Sequence, residues 1–183
     1  MREFEPNYLR NNQSKYYFCN MIAKDLVVLL GTNQGDRVLN LNKAENNLQK
    51  HFSNTILKSS IYQTAAWGLE NQPIFLNQVL VFSTQKPALE ILEICQSIEI
   101  QLGRIRKEKW GPRVIDIDIL FLGAEIIHHP TLIIPHPEII NRRFTLLPLV
   151  EILPDFVHPT TEISLSQHLN TCIDKLEVQL FIA

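Results

Sequence analysis

The chain has 183 residues, is 45% hydrophobic and carries a formal net charge of -2. That length supports one well-filled core, and the slightly acidic balance gives no general attraction to nucleic acid or anionic membrane, so any anion must be held by a local group of basic side chains. Three widely spaced cysteines, Cys19, Cys95 and Cys172, form no C-x-x-C pair, which argues against a disulfide framework or a zinc ribbon and fits a reducing cytoplasm.

No apolar run reaches the roughly 18 to 20 residues that cross a bilayer, and the opening "MREFEPNYLRNNQSKYYFCN" lacks the apolar stretch of a secretory signal. A soluble cytoplasmic protein, monomeric and without membrane or nucleic-acid partners, is the expectation. Residues 1–23 read as an N-terminal extension without helical or strand periodicity, and 24–183 as a single domain. Met21 stands just before the first strand pattern, so a natural start there is an alternative that N-terminal sequencing would settle.

"DLVVLLG", from Asp25, reads as a buried strand closed by Gly31, and "GTNQGD" as a turn with Asp36 as helix N-cap. Val38, Leu41, Ala44 and Leu48 follow at spacings of three and four, the apolar stripe of an amphipathic helix. "NTILKSSIYQT" reads as a second strand, "GLENQP" as a loop and "IFLNQVLVFST" as a third strand. Pro87 suits the first turn of a second helix whose inward stripe is Leu92, Cys95, Ile98 and Leu102, with Gly103 as its C-cap glycine. After a basic loop, "VIDIDILFL" is the fourth strand, and Gly123-Ala124 can close a hairpin onto "EII". Short helical pieces are expected near 137–143, 145–152 and 164–171. The order strand, helix, strand, strand, helix, strand predicts an α+β fold of the ferredoxin-like split βαβ type, an antiparallel sheet with helices on one face, followed by a C-terminal hairpin and short helices.

In that fourth strand, Asp116 and Asp118 share one face about 7 Å apart, while Ile115, Ile117 and Ile119 point to the core. Two carboxylates so close repel each other and are driven toward protonation unless something positive compensates. Arg104, Arg106, Lys107, Lys109 and Arg113 precede them, so one reading is a structural ion-pair network. The other is Mg²⁺ carrying a nucleotide triphosphate, with aspartates on the metal and arginines on the phosphoryl oxygens. Gln96 and Glu99, three residues apart on the second helix, can turn toward the same place. "GTNQGD" lacks the G-K-[ST] ending of a P-loop, so any kinase built here follows another plan. The pair His128-His129 has no partner at ligand spacing and is expected to be exposed in a loop, and Cys95 to be core.

"KWGPRVIDIDIL" closely resembles the signature of the 6-hydroxymethyl-7,8-dihydropterin pyrophosphokinases. "VVLLGTNQGDR", "SSIYQTAAWG", "QPIFLNQVL", "IEIQLGRIRKEKWGPR" and "IIPHPEIINRRFTLLPLVEILPDFVHP" resemble further parts of that family in its own order, from about residue 24 to 159. The resemblance implies pyrophosphoryl transfer from ATP to the hydroxymethyl group of the reduced pterin, releasing AMP, in folate biosynthesis. It implies two Mg²⁺ ions on Asp116 and Asp118, and phosphate contacts from Arg104 and Arg113 as the catalytic pair. It implies ATP contacts from Gln96, Glu99, Arg106, Lys107, Ile119, His136 and Arg142. Thr64, Trp67, Phe75, Asn77, Trp110 and Phe144 fall on its pterin pocket, where aromatic faces and an amide suit a flat heterocycle. Thr32, Asn71 and Ile74 depart from residues common in the family and bear on its loops and pterin affinity. No general base stands out. A nucleic-acid-binding module and another D-x-D nucleotide transferase are the competing readings, separated by whether AMP, ADP or neither appears.

Overall fold

The computed structural model describes residues 25–52, 54–65, 73–104 and 113–182. In chain order these form β1 (Asp25–Thr32), α1 (Arg37–Gln49), β2 (Leu57–Lys58), β3 (Tyr62–Thr64), β4 (Phe75–Ser83), α2 (Ala88–Gln101) and β5 (Asp116–Leu122). The hairpin β6 (Ile127–His129) and β7 (Leu132–Ile134), a 3-10 turn (Ile139–Asn141), α3 (Arg143–Ile152), α4 (Leu165–Thr171) and β8 (Val178–Leu180) follow. The main sheet runs β5-β1-β4-β3-β8, with β2 also on β4, and its pairings are antiparallel. No described helix is long and apolar enough to cross a membrane.

The expected α+β plan is present, but helices cover both faces of the sheet. On one face Leu26, Val28 and Leu30 of β1 pack with Leu76, Leu80 and Phe82 of β4 under Leu41, Ala44 and Leu48 of α1 and Ile91, Cys95 and Ile98 of α2. On the other, Val27, Leu29, Val79 and Val81 pack under Leu146 and Leu149 of α3 and Leu165 of α4. Burial on two sides explains why β1 and β4 carry near-continuous apolar runs rather than an alternation. The two helices of the split βαβ unit share one face as expected, and the proline-punctuated tail adds α3 and α4 across the second.

Local chemistry accounts for the element ends. Asp36 caps α1 as expected, accepting from the Leu39 N–H. α2 ends in a Schellman motif: Arg104 N–H donates to Glu99 C=O and Gly103 N–H to Ile100 C=O, with Gly103 at φ 94. Pro87 is the N-cap of α2 rather than a residue of its first turn, and the fully buried stripe is Ile91, Cys95 and Ile98, with Leu92 and Leu102 only partly buried against it.

Two strand expectations are corrected. "NTILKSSIYQT" breaks into β2 and β3 because the Ser59 hydroxyl, rather than a backbone carbonyl, accepts from the Val79 N–H, interrupting the ladder on β4. The segment after Gly123-Ala124 pairs forward, β6 with β7, and not back onto β5, although Glu125 N–H does close the turn on Leu122 C=O. His128 and His129 are exposed, on β6 rather than in a loop.

A bulge finishes the arrangement of β5. Ile119 pairs with Val28 and Phe121 with Val27, so Leu120 is the additional residue; it and Phe121 both join the second core, while Asp116 and Asp118 keep their shared face near the open end of the strand. β5 is also an edge strand, so its side chains can border a cavity on either face.

Candidate active site

At the open end of the sheet, Asn77 of β4, Gly31 of β1 and Asp116 of β5 stand in register across three strands. They floor a cavity of about 330 Å³ whose other walls include Thr64, Phe75, Arg113, Asp118, His136, Arg142 and Phe144. Gly31 keeps the floor open: a Cβ there would lie 3.4 Å from Asn77 Oδ1 and 3.9 Å from Asp116 Cβ. Asn77 is buried and donates from Nδ2 to Thr64 Oγ1 at 3.1 Å, which orients its amide in a cavity also lined by Phe75 and Phe144.

Around the edge of β5 lies a second cavity of about 430 Å³, lined by Gln96, Glu99, Arg104, Ile117, Ile119 and the β6–β7 hairpin residues Thr131, Leu132 and Ile133. Asp116, Asp118, His136 and Pro137 border both cavities. The two aspartates are therefore a common wall, with one arginine on either side: Arg104 lines the second cavity and Arg113 the first, and each pairs with a different oxygen of Asp116.

Glu99 is buried on α2, accepts from the Ile117 N–H at 2.8 Å and pairs with Arg104. It thus satisfies an edge-strand amide that has no strand partner. The Schellman end of α2 sets this contact, since the turn at Gly103 brings Arg104 back beside Glu99. Burial first, then the neighbouring Asp116, push the Glu99 carboxyl up to about 7. Burial and Asp116 likewise push Asp118 up to about 7, against the opposing pull of Arg142 and Arg113. His136 is held below its usual value by burial and by Arg142; its Nδ1 accepts from the Glu138 N–H, so the neutral ring carries its proton on Nε2.

Arg142 lines the Asn77 cavity rather than the Gln96 one. Its guanidinium lies 5.8 Å above the Phe144 ring, and its buried Nε has no hydrogen-bond partner among the described residues, with Glu138 Oε2 at 3.8 Å. A buried donor in that condition wants an acceptor, and an anionic ligand oxygen would supply one.

Every described residue expected at the site borders one of these cavities. Thr64, Phe75, Asn77, Phe144, Arg113 and Arg142 border the first, Gln96, Glu99, Arg104 and Ile119 the second, and Asp116, Asp118 and His136 both. Arg106, Lys107, Trp67 and Trp110 lie outside the described residues, as does the N-terminal extension. Sequence reasoning missed Asn33, whose Oδ1 accepts from the Arg113 N–H at 2.7 Å and whose N–H donates to the Arg113 C=O at 3.1 Å. Beside it, Thr32 Oγ1 donates to Val114 C=O, so the end of β1 anchors the chain that enters β5. The signal lay in "GTNQGD", which read only as a turn. The β6–β7 hairpin wall was also missed, because nothing in "TLII" marks a lining role.

The family model described as 7,8-dihydro-6-hydroxymethylpterin-pyrophosphokinase matches residues 27–154. The chain belongs to this pyrophosphokinase family. It is 44% identical over 126 residues to the 2-amino-4-hydroxy-6-hydroxymethyldihydropteridine pyrophosphokinase of Bacillus subtilis, covering 68% of this chain and 75% of that one. The Aquifex aeolicus enzyme of the same name is 42% identical over 130 residues, covering 71% and 81% respectively. Among solved structures, the wild-type HPPK-DHPS of Plasmodium falciparum has a similar fold, with a TM-score of 0.64 at 16% identity; the match covers 81% of this chain and 44% of that longer one. As a member of the pyrophosphokinase family, the protein transfers a pyrophosphoryl group from ATP to hydroxymethyldihydropterin in folate synthesis.

Proposed function

We propose that the reacting centre is the wall shared by the two cavities. ATP occupies the side lined by Gln96, Glu99, Arg104 and Ile119, the reduced pterin occupies the side lined by Thr64, Phe75, Asn77 and Phe144, and the β-phosphorus lies between them at Asp116 and Asp118. The observation that carries this reading is that one carboxylate pair borders both cavities, with Arg104 and Arg113 bracketing it.

In this reading the pterin hydroxymethyl oxygen forms a bond to the β-phosphorus and gives up its proton to water, the bond from that phosphorus to the α,β-bridging oxygen breaks, and AMP leaves with the electron pair. Arg104 and Arg113 shift from Asp116 onto the phosphoryl oxygens, holding donor and acceptor in line; positioning of this kind supplies much of the catalysis in phosphoryl transfer. His136 donates Nε2–H to a phosphate oxygen, and the orphaned Nε of Arg142 gains an anionic acceptor. Asn77 reads the polar edge of the heterocycle, while Phe75 and Phe144 cover its faces. Arg106 and Lys107 are assigned to ATP, and Trp67 and Trp110 to the pterin, on the family likeness alone. Both cavities come from one chain, so a monomer suffices.

The carboxylates suit Mg²⁺. They are hard oxygen donors, and burial together with the neighbouring Asp116 pushes the Asp118 carboxyl up toward neutrality, which a divalent cation would relieve. Asp116 and Asp118 would hold two such ions, which when bound offset the charge of the triphosphate and of the leaving AMP. Incubation with ATP, Mg²⁺ and the pterin, followed by separation of the nucleotides, tests the reaction: AMP is expected, and ADP would sink the β-phosphorus assignment. Calorimetric titration of Mg²⁺ with an unreactive ATP analogue tests the metal role, with saturable binding expected for the parent and loss of it for Asp118→Asn.

A further inference from the structure

The helix that carries Phe144 and begins directly after Arg142 has no cap of its own. Arg142 is its N-cap residue, makes no side-chain capping bond, and no acidic residue stands in the first turn. The acceptor comes instead from the C-terminal tail. Asp174 is buried; its Oδ2 accepts from the Arg143 N–H at 2.8 Å and its Oδ1 from the Leu176 N–H at 2.9 Å. Burying a carboxylate is costly, and what compensates here is a charge-assisted bond at the positive end of the α3 dipole.

The same tail then enters β8, where Val178 pairs with Thr64, the residue whose hydroxyl receives Asn77 Nδ2. The family match ends at residue 154, so this segment lies beyond it. It nevertheless contacts two elements that line the Asn77 cavity, the start of α3 and the end of β3.

We infer that Asp174 is a positioning residue for the acceptor cavity: its carboxylate fixes the first turn of α3 and thereby the placement of Phe144 against the pterin. Its effect should fall on the pterin side only, because none of the residues lining the Gln96–Glu99–Arg104 cavity lies on α3. The inference rests on the reading that this cavity binds the pterin, and the test separates the two.

Steady-state kinetics of AMP release are measured well below the melting temperature for the parent, Asp174→Ala, Asp174→Asn and Asn77→Ala. Asp174→Ala is expected to raise the pterin KM about five-fold, in line with loss of a helix cap, with kcat and the ATP KM within about two-fold. Asp174→Asn keeps one oxygen that can accept from the Arg143 N–H but turns its NH2 toward the Leu176 N–H, so it should restore the pterin KM only in part. If Asp174→Ala does not fold, Asp174→Glu, which keeps the charge but displaces the carboxylate, must show the same rise. A lowered melting temperature with an unchanged pterin KM means a purely structural cap and overturns the inference, as does a fall in kcat alone. Should Asn77→Ala also leave the pterin KM unchanged, the cavity assignment itself fails. A shift in Asn77→Ala without one in Asp174→Ala rejects only the role of Asp174.

Discussion

Asn77→Ala isolates the acceptor cavity from the rest of the site. The residue is the third of β4, paired on both sides by β1 and β3, so truncation leaves the backbone ladder intact and removes only the amide. An amide offers two donors and two lone pairs, of which one donor goes to Thr64. Losing that internal bond costs about 1 kcal/mol, which a domain of ordinary stability survives. Losing two bonds to the heterocycle edge, at about 1 to 1.5 kcal/mol each, weakens pterin binding by about 2 to 3 kcal/mol, or roughly 30- to 150-fold. The assay is calorimetric titration of the pterin into protein saturated with an unreactive ATP analogue, with the analogue's own affinity measured alongside. The analogue should bind within about three-fold of the parent, because Asn77 does not line its cavity. Pterin affinity within two-fold of the parent would refute the assignment of the cavity, whatever happened to turnover.

Asp116→Ala is expected to lower kcat by about 100-fold or more, since it removes a carboxylate from the wall common to both cavities; near-normal AMP release would return the aspartates to a purely structural ion-pair role. Gly31→Val places a branched side chain on the cavity floor, where even a Cβ sits 3.4 Å from Asn77 Oδ1, and should weaken pterin binding about ten-fold or more while sparing ATP; an unchanged pterin titration would show that the floor is not used. His158 and His168, buried behind the sheet with ring centroids 5.7 Å apart, are both held below the usual histidine value by burial. A depressed folded value means their contribution to stability is present above about pH 6.5 and lost as pH falls through the folded values. His168→Gln should therefore lose less melting temperature than the parent between pH 7.5 and 5, and an equal loss in both would reject this account.

Much of the site was legible because its chemistry conflicts with its surroundings. Two aspartates in an apolar strand, preceded by a run of basic residues, demand compensation wherever the strand sits, and the period of two places both on one face. The spacing of Gln96 and Glu99 likewise survived, because both lie on one side of α2 and border one cavity. Asn33 and Asp174 were not legible: an asparagine in a turn and an aspartate in a tail look like ordinary solvated residues until the fold brings Arg113 and Arg143 to them.

Local spacing and composition thus determined the helices, the principal strands and the presence of an acidic pair, since each depends on interactions within a few residues. Only the tertiary structure decided that helices cover both faces, that β5 lies at an edge, and that two cavities meet at Asp116 and Asp118. Those are matters of which distant segments pack together, and packing among them is set by the burial of the whole chain rather than by any one stretch of it.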